Sequence, residues 1–237
     1  MPGILYLIPS ALGDAPWAAY LPADTREIAC RLRRFVVENA KTTRAELKRI
    51  GHPMPLREIA IEQLPDRPTA SDIESLLAPL LAGDDVGLMS EAGCPAVADP
   101  GAQLVRRAHA IGITVKPMIG PSSLLLALMA SGLDGQRFAF HGYLPAREPE
   151  RSRRIADLER ESASLRQTQL FIETPYRNEA MLAALLSTCR PATRICVAAD
   201  LTLQSESIIC RTTADWGRQP SPPLNRRPVV FLLLSGD

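Results

Sequence analysis

Short aliphatic runs alternate with longer amphipathic segments through the first half of the chain. An apolar run bounded by Gly, Pro or a charge is typical of a buried strand, and apolar residues three or four positions apart are typical of a helix. We predict strands at residues 4–9, 35–38, 55–60, 86–90 and 114–118. We predict helices at residues 41–50, 70–81 and 102–111, with Thr69 as the N-cap of the second. This alternation indicates a doubly wound parallel sheet.

The pattern changes after about residue 120. We predict helices at residues 122–131, 150–162 and 178–189, and strands at 138–143, 169–173, 194–199, 205–210 and 228–234. Strands in close succession without a helix between them imply antiparallel pairing, and therefore a mixed sheet. The expected fold class is α/β. We expect an N-terminal domain over residues 1–120 and a C-terminal domain over 121–237, with a ligand cleft between them.

Charge and cysteine content exclude some classes of protein. The net charge is only +1, but basic residues crowd the segments Arg26–Arg49 and Arg147–Arg154, which can contact phosphates or simply form solvated helix faces. The five cysteines include no CxxC pair, and the three histidines lie far apart. We therefore expect no metal site and no disulfide framework. The apolar runs are too short to cross a membrane, so we expect a cytoplasmic protein.

The loop after the strand at 86–90 has the composition of a binding loop. Ser90–Gly101 (SEAGCPAVADPG) combines small residues with two glycines and two prolines, and a helix follows it. In an open α/β sheet, ligands bind at the carboxyl ends of strands, where small residues let the backbone approach them. The same composition also suits a tight strand-to-helix connection without a ligand.

Two other loops have a similar character. Ser122 and Ser123 follow a Gly-Pro turn, where their hydroxyls can cap a helix or bind a ligand carboxylate. The loop that closes the first strand contains Pro9 and Leu12. It has no GxGxxG, and the chain has no GxxxxGK[ST], so neither a dinucleotide site nor a P-loop is indicated.

Several segments, taken in order, resemble the tetrapyrrole methylase superfamily. They resemble most the branch that contains the bacterial small-subunit ribosomal RNA 2′-O-ribose methyltransferases. The matching segments are Leu5–Asp14 (LYLIPSALGD), Leu88–Gly101 (LMSEAGCPAVADPG), Val115–Ser123 (VKPMIGPSS), Arg137–Pro145 (RFAFHGYLP) and Leu170–Arg177 (LFIETPYR). The second matches the branch's SDAGTP segment, with Glu91 in place of Asp and Cys94 in place of Thr. Each segment alone is weakly specific, but the ordered set spans nearly the whole chain.

The resemblance implies an S-adenosylmethionine (SAM)-dependent methyltransferase that releases S-adenosylhomocysteine. It also implies a homodimer whose subunits each hold SAM between two α/β domains, with RNA as the acceptor and rRNA processing as the role. By matching positions, the expected SAM-binding residues are Pro9, Leu12, Ser90, Ala92, Gly93, Cys94, Val97, Ser122, Ser123 and Ile172.

A hydroxyl acceptor is helped by a general base. The acidic candidates are Glu38, Glu91, Asp99 and Glu173, and His141 is a further one. We favour Glu91 and Glu173 as catalytic residues, because each follows a strand expected to end at the cleft. Each carboxylate is also compatible with a helix cap or a surface charge, and His141 with a core histidine.

Departures from the branch lie in its acceptor segments. Glu38 is kept, but Asn39-Ala-Lys41 follows it in place of Asp-Thr-Arg, and Asn225-Arg-Arg-Pro228 stands where the branch has Lys-Gly-Glu. The sequence therefore predicts a divergent paralogue that keeps SAM binding and has changed its acceptor. Two alternatives stay open: a methyltransferase with a small tetrapyrrole-like acceptor, and a SAM- or RNA-binding module without turnover.

Overall fold

The computed structural model describes residues 1–236 of the chain. The chain divides into two compact units, Met1–Ser122 and a second unit that begins at Ser123. Each unit is built around its own five-stranded sheet.

The first unit is a parallel α/β unit. Its strands are β1 (Ile4–Leu7), β2 (Arg34–Val37), β3 (Ala60–Gln63), β4 (Val86–Met89) and β5 (Thr114–Pro117). Its helices are α1 (Ala23–Arg31), α2 (Ala40–Arg49), α3 (Ala70–Leu81) and α4 (Ala102–Ala110). All strand pairs are parallel, in the order β3-β2-β4-β1-β5. This confirms the predicted parallel sheet.

The core and the helix caps of this unit follow from the sequence pattern. Leu5, Leu77, Leu88 and Leu104 bring apolar side chains from two strands and two helices into one buried cluster. Helix α3 starts with a capping box: the Thr69 hydroxyl accepts from the Asp72 backbone N–H, and the Asp72 carboxylate accepts from the Thr69 backbone N–H.

Two sequence predictions in this unit were wrong. The segment predicted as a strand at 55–60 forms a 3₁₀ turn over Leu56–Glu58, and the strand follows it as β3. Pro55 precedes the turn; with φ fixed near −65° and no N–H to donate, it suits a turn better than a strand interior. Helix α1 was missed, since only Thr25 and Ala29 are buried in it and no apolar stripe marks it.

The second unit contains a mixed sheet, as predicted. Its strands are β6 (Phe138–Tyr143), β7 (Thr168–Ile172), β8 (Arg194–Ala199), β9 (Ser207–Thr212) and β10 (Val229–Leu234). Its helices are α5 (Ser123–Ser131), α6 (Glu150–Leu165), α7 (Asn178–Thr188) and α8 (Thr213–Trp216). The order is β6-β7-β10-β8-β9, in which only β6 and β7 pair in parallel.

Aromatic packing holds one face of the second sheet. Phe171 of β7 and Phe231 of β10 stack with ring centroids 5.7 Å apart. Trp216, the last residue of α8, is buried and donates its indole N–H to the Ile195 carbonyl oxygen at 2.9 Å. The four-residue helix α8 was not predicted, because it is too short to show a helical period. None of the helices within residues 1–236 is long and apolar enough to cross a membrane.

Candidate active site

In the first unit, the loop after β1 and the loop after β4 are joined through their backbones. Ser10 and Gly93 form an isolated antiparallel bridge, in which the Ser10 N–H donates to the Gly93 carbonyl at 2.9 Å and the Gly93 N–H donates back at 3.1 Å. The Ser10 hydroxyl also donates to the Ser90 carbonyl at 2.9 Å. Because β1 and β4 are parallel neighbours, their carboxyl ends meet at one edge of the sheet, where ligands bind in α/β folds.

The loop after β5 packs against the same two loops. A Cβ at Gly120 would stand 2.4 Å from the Pro9 Cβ, and a Cβ at Gly93 would lie 3.4 Å from Leu12 and 3.7 Å from the Pro121 carbonyl oxygen. The Cys94 thiol donates to that carbonyl at 3.4 Å. Glycine at 120 therefore lets the loop after β5 cross Pro9 closely.

The loop after β4 has an unusual backbone conformation. Ala96 and Ala98 both have φ of 65°, in the left-handed region that residues with a Cβ rarely adopt, and Gly93 and Gly101 also have positive φ. Each such alanine costs on the order of 1 kcal/mol, and strain of this kind clusters at ligand sites. Small side chains and a backbone free to face a ligand suit a nucleoside with a sulfonium side chain, as SAM has.

Three carboxylates lie around the end of β4. The Glu91 backbone N–H donates to Glu38 Oε2 at 2.9 Å, while the Glu91 side chain is exposed. Burial, then the negative charge of Glu38, raises the pKa of Asp99 to about 6, against a partly offsetting hydrogen bond from Ser90. A pKa raised in this way is closer to the range that suits a general base than that of an ordinary carboxyl.

The second unit has its own polar sheet edge. Strands β7 and β8 both run antiparallel to β10, so their carboxyl ends and the start of β10 lie at the same edge. Glu173, one residue beyond β7, is buried. Its Oε1 accepts from the Thr174 N–H at 2.6 Å and from Arg177 Nε and Nη2 at 3.0 and 2.6 Å. Glu173 Oε2 is buried without a hydrogen-bond partner among the described residues.

A fully buried asparagine joins this edge to the segment before β10. Asn178 Nδ2 donates to the carbonyl oxygens of Arg227 at 2.8 Å, Leu224 at 3.1 Å and Pro175 at 3.4 Å. Arg227 Nε in turn donates to Asp200 Oδ2 at 2.8 Å. The sequence marked Arg227 only as part of the departure at Asn225–Pro228, and it did not predict these contacts, because the partners come from distant parts of the chain.

The predicted site residues divide between the two units. The loops that follow the strands of the first sheet contain Pro9, Leu12, Ser90, Glu91, Ala92, Gly93, Cys94, Val97 and Ser122. Ser123 is the first residue of α5, Ile172 ends β7 and Glu173 follows it, all in the second unit.

His141 is engaged in structural contacts. Its Nε2 lies 2.5 Å from Gln169 Oε1, and its Nδ1 lies 3.1 Å from Arg154 Nη2. Both ring nitrogens have partners, which matches the alternative of a satisfied histidine.

Comparison with known proteins identifies the family. The sequence model of the tetrapyrrole (corrin/porphyrin) methylases matches residues 18–215. The chain belongs to the tetrapyrrole methylase family. The structure is also similar to the crystal structure of the methyltransferase CobJ, with a TM-score of 0.62 and 16% identity, covering 99% of this chain and 95% of that one. At that identity the likeness concerns the fold.

Similar curated proteins are each named ribosomal RNA small subunit methyltransferase I. The protein of Xylella fastidiosa strain Temecula1 is 31% identical over 233 residues, covering 98% of this chain and 81% of that protein. The Escherichia coli O157:H7 protein is 30% identical over 87% of this chain and 68% of its own length. The Bacillus subtilis strain 168 protein is 29% identical over 90% of this chain and 68% of its own length.

Membership of this family makes the chain a SAM-dependent methyltransferase. SAM supplies an electrophilic methyl group on a sulfonium, so the protein has to position donor and acceptor and exclude competing geometries. The joined loops at the carboxyl edge of the first sheet fit the donor: they offer small side chains and a close backbone.

Proposed function

We propose that this enzyme transfers a methyl group from SAM to RNA, with a ribose 2′-hydroxyl of ribosomal RNA as the acceptor. The observation that carries the proposal is the similarity, over 98% of the chain, to a protein named ribosomal RNA small subunit methyltransferase I. Such a substrate implies a cytoplasmic enzyme, and the free state of all five cysteines agrees with a reducing environment.

The proposed SAM site combines backbone and small side chains. In the first unit, the joined loops contribute the wall formed by Pro9 and Leu12 and the strained segment with Ala92, Gly93, Cys94 and Val97. Ser90 and Ser122 add hydroxyls, and Ser123 and Ile172 of the second unit complete the set by family position. The support is the shape of the joined loops, which a bulky side chain at 93 or 120 would disrupt.

Glu91 and Glu173 are the proposed catalytic carboxylates, and Asp99 joins them as a candidate base. Glu91 has an exposed side chain beside Glu38, so it is accessible to an acceptor. Glu173 directs one oxygen to Arg177, and its other oxygen has no donor within residues 1–236. Asp99 has the pKa of about 6 that suits proton abstraction near neutrality.

Part of the basic surface remains available for RNA phosphates. Carboxylates already pair with Arg34, Arg49, Arg151 and Arg154. The exposed basic residues of Arg26–Arg49 and Arg147–Arg154 without a salt bridge among residues 1–236 are Arg31, Arg33, Lys41, Arg44, Lys48, Arg147 and Arg153. A few such contacts make RNA binding steeply dependent on salt.

A homodimer is proposed from the surface of α5. This helix is apolar around most of its circumference, and Leu125 and Met129 are 53% and 80% exposed. A helix that is apolar on every side is normally covered, and a second copy of this chain is the proposed partner. Light scattering should give twice the chain mass for the wild type and the monomer mass for Met129→Asp. A monomeric wild type at micromolar concentration contradicts the dimer.

The function is tested by methyl transfer from tritium-labelled SAM to purified small ribosomal subunits, followed by nuclease mapping of the labelled nucleotide. Label in ribose is expected. Ser122→Trp should abolish SAM binding in calorimetry while leaving the unfolding temperature within a few degrees. Glu91→Gln should bind SAM normally and transfer slowly if Glu91 acts as the base. SAM binding without transfer to any RNA would leave a binding module and overturn the proposed activity.

A further inference from the structure

Tyr176 is an exposed aromatic side chain at the polar edge of the second sheet. It lies four residues beyond Ile172, the end of β7, and its side chain is 75% exposed. The guanidinium of Arg226 lies 6.0 Å from its ring centroid. Aromatic residues are scarce in this chain, at 5% of the sequence, and an exposed ring beside a guanidinium offers a flat surface on which another ring can stack.

The backbone holds the two residues together. The Arg226 N–H donates to the Pro175 carbonyl at 3.0 Å, and Arg226 itself has φ of 62°, a left-handed conformation that is unfavourable for a residue with a Cβ. The buried Asn178 side chain joins the segment of Tyr176 to that of Arg226, because it donates to the carbonyl oxygens of Pro175, Leu224 and Arg227. The pair is therefore positioned before any ligand arrives.

The guanidinium of Arg226 is not neutralised by an ion pair within residues 1–236, whereas the carboxylates of this edge already have partners. Glu173 is paired with Arg177, and Asp200 with Arg227. Arg226 has no carboxylate within salt-bridge distance among the described residues. Glu179, in the first turn of α7, is an exposed acid of the neighbouring segment and forms no ion pair with Arg226. An aromatic face next to a free guanidinium suits an anionic polymer that carries flat, uncharged rings, because the rings can stack on tyrosine and the negative charges can pair with arginine.

We propose that Tyr176 and Arg226 form a stacking platform for an unpaired nucleobase of the RNA acceptor. The proposal rests on the proposed function and names the part of the RNA that this edge recognises. Sequence-tolerant RNA binding uses aromatic rings and guanidinium planes that stack on bases, while the arginine charge neutralises a neighbouring phosphate. The segment Asn225–Pro228, where the chain departs from its branch, is then an RNA contact of this enzyme's own.

The experiment measures anisotropy of a fluorescent single-stranded RNA oligonucleotide and of a duplex of equal length. Tyr176→Ala and Tyr176→Leu should weaken single-strand binding about 5- to 100-fold and duplex binding less than twofold. Tyr176→Phe should bind as the wild type does. Arg226→Ala should weaken both RNAs and lower the salt slope by about one, and Arg226→Lys should restore the slope but not the single-strand preference.

Tyr143→Ala is the matched control, since Tyr143 is a 60% exposed tyrosine of the same unit without an arginine over its ring. Its RNA affinity should stay within twofold. SAM affinity should be unchanged in every variant. Equal loss of single-strand and duplex binding in Tyr176→Leu, or no loss, overturns the platform while methyl transfer to RNA by the wild type upholds the proposed function. A wild type that neither binds nor methylates RNA overturns both.

Discussion

The two sheet edges are built by opposite means. At the carboxyl edge of the first sheet, backbone groups of Ser10 and Gly93 bond to each other, and Gly120 crosses Pro9 with no room for a side chain. At the polar edge of the second sheet, side chains make the connections. Asn178 donates to three carbonyl oxygens, and Arg177 donates two hydrogen bonds to Glu173. The first edge is shaped by closely packed backbone that leaves little room for side chains. The second edge is shaped by side chains that hydrogen bonds hold in place.

The difference teaches where substitutions can change specificity. An edge made of closely packed backbone segments tolerates few added atoms, so substitutions there change its shape. An edge made of side chains can accept substitutions at its exposed positions while the buried residues that hold its backbone stay the same. The segment Asn225–Pro228 departs from its branch at just such an edge, whereas the loop after β4 keeps its small residues.

The largest expected effect is from Asn178→Ala. The substitution removes the buried amide that donates to the Arg227 and Leu224 carbonyl oxygens, of which Leu224 keeps the Arg227 N–H at 3.3 Å, and it leaves a cavity at a fully buried position. We therefore expect the unfolding free energy to fall by about 2–4 kcal/mol. Urea denaturation measures it. Asn225→Ala, at an exposed position of the same segment, should stay within about 0.5 kcal/mol. If both variants match the wild type, the second edge does not depend on its side chains.

Gly120→Ala tests the backbone edge. The added Cβ would meet the Pro9 ring at 2.4 Å, so the loop after β5 must shift. We expect a loss of about 1–3 kcal/mol in stability and a SAM affinity at least about tenfold lower by calorimetry. Gly135→Ala, where no atom lies within 4 Å of the added Cβ, is the control. Unaltered SAM binding in Gly120→Ala would show that the contact between Gly120 and Pro9 does not shape the SAM site.

Asp99→Asn tests the one strongly perturbed carboxyl of the first edge. The folded pKa of about 6 lies above the ordinary 3.8, so the folded state holds this proton more tightly than the unfolded chain. Stability from the protonated form is therefore present at low pH and lost as pH rises between about 4 and 6. At pH 7.5 the amide variant should be more stable by roughly 1 kcal/mol, after allowance for solvent screening. Thermal unfolding at pH 4.5 and 7.5 measures the difference, and an unchanged or lower stability at pH 7.5 contradicts it.

The smallest expected effect is from Cys94→Ala. Its thiol is a weak donor to the Pro121 carbonyl, and the loops are already joined by the Ser10–Gly93 bridge. We expect a change of less than about 1 kcal/mol in stability and less than threefold in SAM affinity. A loss above about 2 kcal/mol would show that the first edge also relies on a side chain.

The fold was largely predictable because periodicity records which faces are buried. Strands β4 and β10 are fully or almost fully buried, and their uninterrupted apolar sequences predict this burial directly. Helix α1 escaped detection because burial there involves only Thr25 and Ala29. The shift of β3 reflects Pro55, which favours a turn over Leu56–Glu58, so the strand begins only after Ile59.

The two edges differed in how far they could be predicted. The composition of Ser90–Gly101 shows a loop at the carboxyl end of a strand but fits a plain turn equally well, so the binding role of the first edge was predicted only from the ordered set of family-like segments. The pairing of Asn178 with Arg227 depends on a sheet that brings positions 49 residues apart into contact. No local pattern marks such a partner, and an asparagine at a helix start resembles an ordinary cap.

The long reach of Asn178 also has a consequence for the order of assembly. Its bonds close chain segments 46 and 49 residues long, and long closures are slow because their entropic cost precedes any gain. On a ribosome, the turn at 173–178 emerges well before residues 224–227 exist to bond with it. We therefore expect the Tyr176–Arg226 pair to form in the last folding step, detectable as late amide protection at Arg226 in pulsed hydrogen exchange.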